Sequence, residues 1–336
     1  MKIALVYAEY SDMPEELKVI NPKADEHMKN IVRTITLALE KGGHEVVPIP
    51  ANVDMLRDIM NIGDIDMIFC HYAPMENLQL QGNVFAALEL LGIPMVGSGM
   101  FTQALGLSKE TTKVILRSIG IPTTKSQVFM AEDEELSEEL KDAFPLFVKP
   151  ESEAASVGVH KDSYVENEEQ LRKTLKRIFA ELNPPILVEE YLPGREFTVG
   201  VLEENPLLAL PVLELKFTKD SPTNYQSIET KLQKTLIKEV PANIPDELAK
   251  EMQEMAVKSF KALRAEVYAR VDMRLDKHGK PQVIEFNTMP GLEKGKSFFE
   301  DSANEVGIDY DTLINRMVEI AWARERDEKR LEIGKF

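Results

Sequence analysis

Two strand-like segments near the C-terminal end place charged residues inside apolar sequence, and they restrict the fold more than any other feature. The segments "YARVDMRL" and "QVIEFN" flank the turn "DKHGK", a pattern that predicts a β-hairpin. Because side chains alternate along a strand, one face of the first strand carries Arg270, Asp272 and Arg274. By the same alternation, one face of the second strand carries Val283, Glu285 and Asn287. The two polar faces coincide if the hairpin closes at this turn.

Two carboxylates and an amide oxygen at bonding distance repel one another unless a cation neutralises them. Oxygen ligands of this kind suit Mg²⁺, which retains bound waters and binds substrate phosphates. The hairpin therefore allows a metal site formed by Asp272, Glu285 and Asn287. The alternative is a solvent-facing pair of strands whose charges have no function, and the hairpin alone does not decide between the two.

Cations suited to nucleotide phosphates occur at two places upstream. Lys149 ends the strand-like "PLFVKP" and precedes the small-residue loop "EAASVG", whose backbone N–H groups can lie against phosphate oxygens. Lys109 lies at a helix start in "GLSKETTK", although either lysine alone is more often a surface residue. In "VEEYLPGREF", backbone groups from Glu189 to Tyr191 could meet an adenine edge, and Glu196 could accept hydrogen bonds from ribose hydroxyls.

The overall charge argues against two classes of partner. With 40 Lys and Arg against 57 Asp and Glu, the net charge of −17 repels nucleic acids and anionic membrane surfaces. No apolar run reaches the length of a membrane span, and charge interrupts the apolar N-terminus early, so we expect no signal peptide and a cytoplasmic location. The single cysteine, Cys70, closes the apolar run "DIDMIFC" and is expected in the core.

The length of 336 residues and the pattern of elements predict three domains. Residues 1–118 alternate strands with amphipathic helices, which is typical of an open α/β sheet whose ligands lie at the carboxyl ends of its strands. Residues 119–204 read as an α+β domain, in which the acidic stretch "MAEDEELSEELKD" is expected to be a solvated helix. Residues 205–336 contain a polar loop, a long helix, the hairpin and a C-terminal helix.

Five motifs together resemble the D-alanine:D-alanine ligases of the ATP-grasp superfamily, in order and spacing, over roughly residues 60 to 325. They are "LQLQGNVFAALELLGIPMVGSG", "LSKETTK", "FVKPESEAASVG", "LVEEYLPGREFTVGVL" and "RVDMRLDKHGKPQVIEFNTMPG". The resemblance implies an ATP-grasp fold preceded by an open α/β domain, with ATP held between the central and C-terminal domains. It further implies two Mg²⁺ ions, with Mn²⁺ as a substitute, an acyl-phosphate mechanism, amino acid substrates, and a cytoplasmic homodimer.

The resemblance also assigns residues. Asp272, Glu285 and Asn287 match the family's metal ligands, and Arg270 matches the arginine that balances the oxyanion when an amine attacks the acyl phosphate. The positions that match nucleotide-binding residues are Lys109, Lys149, Glu189, Tyr191, Glu196 and Lys231. Lys231 belongs to a mobile loop that closes over the phosphates and excludes water. Residues that match the substrate-side loop of the first domain are His71 and Glu76.

Several positions depart from the family pattern around the amino acid substrates. A serine pair of the family is replaced by Ala155 and Ser156, of which Ser156 stays a catalytic candidate, and the tyrosine after the loop lysine is Leu232. The serine expected nine residues after Asn287 falls on Lys296, with Ser297 one step further; both are substrate candidates. For the carboxylate that holds the first substrate's ammonium, the unaligned candidates are Glu15, Asp25 and Glu26.

Two other functions are compatible with parts of the sequence. The segment "GLEKGKS" resembles a P-loop, but it has one residue too few between its glycines, and Pro290 stands where the first glycine belongs. A catalytically idle homologue that acts as a nucleotide-binding or regulatory module is the second alternative. The two facing carboxylates argue against it, because a protein without metal chemistry has no physical need to keep them together.

Overall fold

The computed structural model describes residues 1–10, 24–72, 79–152, 157–181 and 185–333 of the chain. Within these ranges the strands form three separate sheets, which follow one another along the sequence. The three sheets correspond to an N-terminal, a central and a C-terminal part of the fold.

The N-terminal sheet has four parallel strands in the order β2-β1-β3-β4. Its strands are β1 (Lys2–Tyr7), β2 (Glu45–Pro50), β3 (Met67–His71) and β4 (Met95–Val96). The accompanying helices are α1 (Ala24–Lys41), α2 (Met55–Ile62), α3 (Gln79–Glu89) and α4 (Met100–Leu107); the next helix, α5 (Lys109–Ser118), packs in the core of the C-terminal sheet. The open α/β arrangement expected from the alternating pattern is therefore present, and Cys70 is buried in its core as expected.

The central sheet is antiparallel, in the order β5-β8-β6-β7. Its strands are β5 (Ser126–Phe129), β6 (Leu146–Pro150), β7 (Tyr164–Val165) and β8 (Ile186–Glu190). The helical elements are α6 (Glu138–Lys141), a 3₁₀ turn (Lys161–Ser163) and α7 (Glu168–Glu181). The acidic stretch forms only the short helix α6, because Leu136 and Leu140 must turn inward into the central core. The prediction of a solvated helix over this whole stretch was wrong.

The C-terminal sheet has six strands, in the order β12-β11-β9-β13-β14 with β10 paired to β9. Its strands are β9 (Glu196–Leu202), β10 (Leu208–Ala209), β11 (Leu213–Phe217), β12 (Leu236–Glu239), β13 (Tyr268–Leu275) and β14 (Pro281–Asn287). Its helices are α8 (Ile228–Gln233), α9 (Asp246–Ala262), α10 (Phe298–Asn304) and α11 (Tyr310–Ile333). The hairpin predicted from the sequence corresponds to β13 and β14.

The two strands on either side of the "LPG" turn lie in different sheets. Strand β8 pairs with β5 and β6, whereas β9 pairs with β11 and β13. The crossing from the central to the C-terminal sheet therefore occurs at residues 191–195. This connection forms one wall of the cleft between the two sheets.

Three hydrophobic cores hold the fold together. The core of the N-terminal sheet extends into the C-terminal part, where it includes Phe299 of α10 and Leu313, Ile314 and Met317 of α11. A second core lies between the C-terminal sheet and helix α9, and the central sheet packs on α7 in a third, separate core. Among the described residues, no helix is both long enough and apolar enough to span a bilayer.

Candidate active site

The register of the hairpin brings the predicted metal ligands together. Asp272 lies directly opposite Glu285, and Arg270 lies opposite Asn287. The register then shifts between Asp272 and Met273, so that one residue of β14 is extra and the strand contains a β-bulge. The bulge turns Val283 into the core, where it is 1% exposed, so the strict alternation that put Val283 beside Glu285 was wrong. It also places Ile284 and Glu285 on the cleft side together.

Asp272 is the most enclosed of these ligands, and every polar contact it makes is to a donor. Nε of Arg270 donates to Oδ1 at 2.8 Å, and a terminal nitrogen of Arg270 donates to Oδ2 at 2.8 Å. The hydroxyl of Thr198 donates to Oδ1 at 2.6 Å, and Nδ2 of Asn287 donates to Oδ2 at 2.9 Å. Burial alone would lower the pKa of Arg270, but the carboxylates of Asp272 and Glu285 raise it above its ordinary value.

Two lysines lie near the second carboxylate, Glu285. Nζ of Lys109 is 3.5 Å from Oε1 of Glu285 and donates to the backbone oxygen of Glu151 at 3.3 Å. Lys231 of α8 is also near: although the residue is exposed, partial loss of its hydration lowers its pKa to about 8, while the charge of Glu285 opposes that change and Arg270 adds to it. The structure therefore brings Arg270, Lys109 and Lys231 to the pair of carboxylates.

The hairpin residues fit a hard divalent cation. Asp272 and Glu285 face one another across the two strands, and Asn287 contacts Asp272. A half-turn of the Asn287 amide exchanges its nitrogen for its oxygen, which gives a third oxygen ligand. Within the described ranges, no three His, Cys, Asp or Glu side chains form a metal cluster. A cation here would take its remaining ligands from phosphate oxygens and water, as Mg²⁺ commonly does.

A buried cluster of charges surrounds Lys149, the second lysine predicted to bind phosphate. Nζ of Lys149 is 2.6 Å from Oε1 of Glu189, and Lys113 contacts Oε2 of the same carboxylate. Thr124 donates to Oε2 at 2.6 Å and accepts from Lys113 at 2.7 Å. Burial lowers the pKa of Lys149 to about 8 and lowers that of Lys113 well below its ordinary value. The sequence interpretation did not include Lys113, whose only signal was its place one helical turn after Lys109.

A cleft with an empty volume of about 780 Å³ lies between the central and C-terminal sheets. Its polar lining contains the predicted nucleotide residues Lys109, Lys149, Glu189, Tyr191 and Glu196, together with Asp272 and Glu285. Its apolar lining contains Phe147, Val157, Val159, Tyr225 and Ile284. The cleft thus has an apolar part and a charged end, which is the distribution that a nucleotide needs.

Burial raises the pKa of Glu196, whose Oε1 accepts from Gln226 at 3.0 Å. Tyr191 lies in a group of aromatic rings, with its centroid 4.8 Å from Tyr164 and 6.4 Å from Tyr225. These two predicted nucleotide residues therefore lie at the same end of the cleft, next to the loop that carries Tyr225 and Gln226.

The loop between β11 and β12 is docked against the central sheet. The hydroxyl of Tyr225 donates to the backbone oxygens of His160 and Lys161 at 2.9 and 3.0 Å. Nδ1 of His160 is 3.1 Å from Oε1 of Glu229, and Ser227 caps α8 with a capping box. These contacts place Lys231 beside the hairpin, and they leave Leu232 68% exposed, where the family pattern has a tyrosine.

The substrate-side predictions are only partly described. Glu15, Glu76, Ala155 and Ser156 lie outside the described residues. His71 ends β3 and is buried; burial lowers its pKa to about 4, so it is neutral near pH 7. Its Nδ1 has no hydrogen-bond partner within the part of the chain that the structure describes. The alternative carboxylates lie at the start of α1, where Asp25 pairs with Lys29 at 2.7 Å and Glu26 lines a surface pocket.

The structure places Lys296 and Ser297 in polar contacts of their own. Nζ of Lys296 donates to Oε1 of Glu293 at 2.6 Å and lies 3.2 Å from Nδ1 of His27, with 58% of the side chain exposed. The hydroxyl of Ser297 donates to the backbone oxygen of Gly291 at 2.6 Å and accepts from the first N–H groups of α10. Neither residue lines the nucleotide cleft.

Comparisons with known proteins agree with this geometry. A family model described as "D-ala D-ala ligase C-terminus" matches residues 115–319. The D-alanine–D-alanine ligase of Desulforudis audaxviator is 31% identical over 87% of this chain and 92% of its own length. The corresponding enzyme of Halalkalibacterium halodurans is 31% identical over 84% of this chain and 90% of its own.

A solved structure gives the same result at the level of the fold. The D-alanine–D-alanine ligase of Bacillus anthracis, crystallised with ATP, superposes with a TM-score of 0.75 at 26% identity. The alignment covers 98% of this chain and 99% of that one. The expected ATP-grasp fold and ligase class are therefore confirmed. Because the family model matches more than half of the residues, and relatives above 30% identity match most of them, this chain belongs to the D-alanine–D-alanine ligase family.

Proposed function

We propose that this protein is an ATP-dependent ligase that activates the carboxylate of one amino acid as an acyl phosphate and joins it to the amine of a second. The observation that carries the proposal is the convergence of Asp272, Glu285 and Arg270 at the charged end of the cleft. The names of the relatives make D-alanine the first candidate for both substrates.

In this mechanism the nucleotide triphosphate points toward the hairpin. Lys109 and Lys149 hold phosphate oxygens, and two Mg²⁺ ions held by Asp272, Glu285 and Asn287 would neutralise charge on the transferred phosphoryl group. Lys231 and its loop exclude water, which would otherwise hydrolyse the acyl phosphate. Mn²⁺, which accepts the same oxygen ligands, should replace Mg²⁺.

Arg270 has a separate task in the second step. When the amine attacks the acyl phosphate, negative charge develops on the former carbonyl oxygen, and a fixed guanidinium can balance it. In the structure Nε and one terminal nitrogen of Arg270 donate to Asp272, and its Cζ lies 5.5 Å from the ring centre of Phe298. These contacts orient the guanidinium before any substrate is present, which is the pre-organisation that such a role requires.

The test is release of phosphate from ATP across a panel of D- and L-amino acid pairs, with mass spectrometry of the products. D-alanine alone should give a dipeptide, and hydroxylamine should trap the acyl phosphate as a hydroxamate. A panel that yields a product from another pair would keep the ligase mechanism and replace the substrate. Nucleotide binding without any turnover across the panel would instead favour the idle module.

The same family suggests a homodimer, and the surface of the N-terminal part supports one. Helices α3 and α4 pack together, and apolar side chains are exposed there: Leu90, directly after α3, is 83% exposed, and Phe101 of α4 is 58% exposed. We propose that a second copy of the chain covers this surface. Sedimentation velocity should give a dimer for the wild type and a monomer for Phe101→Asp.

The reaction is proposed to take place in the cytoplasm, where ATP is supplied.

A further inference from the structure

Arg274 is a buried cation at the nucleoside end of the cleft that the mechanism does not use. It lies on β13 two residues after Asp272, lines the cleft, and is 5% exposed. A buried arginine is costly unless its donors are satisfied, and here all its recorded contacts are with cleft-wall and loop groups. Those contacts show what the residue positions.

One contact is with the proposed ribose carboxylate. A terminal nitrogen of Arg274 donates to Oε2 of Glu196 at 3.4 Å, while Gln226 donates to Oε1 at 3.0 Å. A carboxylate accepts about four hydrogen bonds, so ribose hydroxyls can still donate to Glu196. Although burial raises the pKa of Glu196, the charge of Arg274 opposes that effect and favours the ionised, accepting form.

The shorter contacts of Arg274 go to two other parts of the cleft. Nε donates to the backbone oxygen of Gly194 at 3.0 Å, in the connection between β8 and β9. The second terminal nitrogen donates to the hydroxyl of Tyr191 at 3.1 Å and to the backbone oxygen of Asn224 at 2.9 Å. Cζ also lies 5.1 Å from the ring centre of Tyr191. One guanidinium thus joins the connection, the ribose carboxylate and the loop.

These distances argue against an ion pair that only stabilises the fold. A stabilising pair would use the bidentate geometry seen for Arg195 and Glu214, where both contacts are 2.6 Å. Arg274 makes a single long contact to its carboxylate and uses its better donors elsewhere. The carboxylate of Glu196 is therefore oriented by Arg274 without being fully occupied by it.

Resting on the proposed function, we propose that Arg274 is a positioning residue for nucleotide recognition: it orients Glu196 toward the ribose hydroxyls and holds the Asn224 segment of the loop over the same nucleoside. Recognition of the ribose and docking of the loop then depend on one side chain. The ligand class is a ribonucleotide, and the discriminating groups are its 2′- and 3′-hydroxyls.

The experiment measures binding of ADP and of 2′,3′-dideoxyADP to the full chain by calorimetry with Mg²⁺ present. For the wild type we expect ADP to bind at least about tenfold more tightly, the value of one hydrogen bond to a charged group. For Arg274→Met this ratio should fall to about two or less, and binding of dideoxyADP should weaken less than that of ADP, because dideoxyADP loses only the contribution of the docked loop. Arg274→Lys, which keeps the charge without the planar fork, should give an intermediate ratio.

Arg324→Met is the control, because it removes a partly buried arginine that pairs with Glu203 and Glu266 and does not line the cleft. Its ratio should equal that of the wild type, and thermal unfolding should show that all variants are folded. Equal weakening of both nucleotides by Arg274→Met, or an unchanged ratio, would overturn the inference alone. If the wild type binds neither nucleotide, the proposed function falls and the inference falls with it.

Discussion

The guanidinium of Arg270 donates a hydrogen bond to each carboxylate oxygen of Asp272, which lies two residues later on the same strand; both distances are 2.8 Å. The proposed oxyanion cation and the proposed metal ligand therefore neutralise each other in the structure. In the proposed mechanism a bound divalent cation would be a further partner of Asp272, and Arg270 could then share its donors with the reacting carboxyl group.

Arg270→Met should therefore separate turnover from binding. We expect kcat to fall at least about 100-fold, as for removal of a donor to an oxyanion, while ATP with Mg²⁺ binds at least as tightly as to the wild type. Phosphate release and calorimetry measure the two quantities. A variant that loses nucleotide binding but keeps normal residual chemistry would contradict the role.

The same variant should also be less stable without ligand. Loss of Arg270 leaves Asp272 buried with only the neutral donors Thr198 and Asn287, which should cost about 3 kcal/mol of unfolding free energy. Adding Mg²⁺ and ADP should restore more stability to the variant than to the wild type, because the cation replaces the lost charge. Urea unfolding with and without ligand tests this; identical ligand-induced shifts would be evidence against it.

Glu285→Gln should weaken the dependence on metal. Glutamine has an amide nitrogen in place of one carboxylate oxygen and lacks the negative charge next to Lys109. We therefore expect the Mg²⁺ concentration for half-maximal activity to rise at least about tenfold. Titration of phosphate release with Mg²⁺ measures it. The control is Glu239→Gln at the far edge of the same sheet, which pairs with Lys216 and should behave like the wild type. Identical metal curves for the two variants would rule out Glu285 as a ligand.

Activity should decline in alkaline solution. Burial lowers the pKa of Lys149 to about 8, and partial loss of hydration lowers that of the more exposed Lys231 to about 8, so each loses its charge in the free enzyme as the pH rises through that value. Because kcat/KM reports the free enzyme, its logarithm for ATP should fall above about pH 8 with a slope steeper than −1. Replacing either lysine by arginine, which stays charged, should make the slope of log(kcat/KM) against pH less steep by one. A level profile up to pH 9.5 would refute the assignment.

The loop that carries Lys231 should be held more tightly with nucleotide bound. It lies against the central sheet through the hydroxyl of Tyr225, so Tyr225→Phe should increase trypsin cleavage after Lys219 or Lys234 and raise ATP hydrolysis without an acceptor. ATP with Mg²⁺ should slow cleavage of the wild type. Tyr164→Phe, whose hydroxyl makes one 3.5 Å contact to Glu166, is the control. Equal cleavage of both variants would show that the Tyr225 hydroxyl does not hold the loop in place.

The sequence predicted the hairpin and its two facing carboxylates because strand alternation is a local property. Asp272 and Glu285 lie opposite one another as expected. The bulge that moved Val283 into the core was not predictable, since the extra residue is determined by packing against the core beneath the sheet. The prediction that the two carboxylates face one another was thus correct, although the strand alternation predicted for Val283 was wrong.

Charged residues whose partners are distant in sequence were missed. Lys113 belongs to the cluster around Glu189, which is 76 residues away, and Arg274 contacts Asn224, which is 50 residues away. Neither residue has a local pattern that distinguishes it from a surface charge; only the packing of two sheets buries them. Conversely, Lys296 was assigned from its spacing after Asn287, and its position beside Glu293 and His27 could not be read from that spacing.

The hydrophobic core that runs from the N-terminal sheet into helices α10 and α11 also determines how substrates can enter. Residues from both ends of the chain share that core, so parting them would expose a large apolar area to water. The central sheet packs around a core of its own and is joined to the rest through short connections such as residues 191–195. Nucleotide binding and product release should therefore occur by rotation of the central part of the fold, while the N-terminal and C-terminal parts stay packed together.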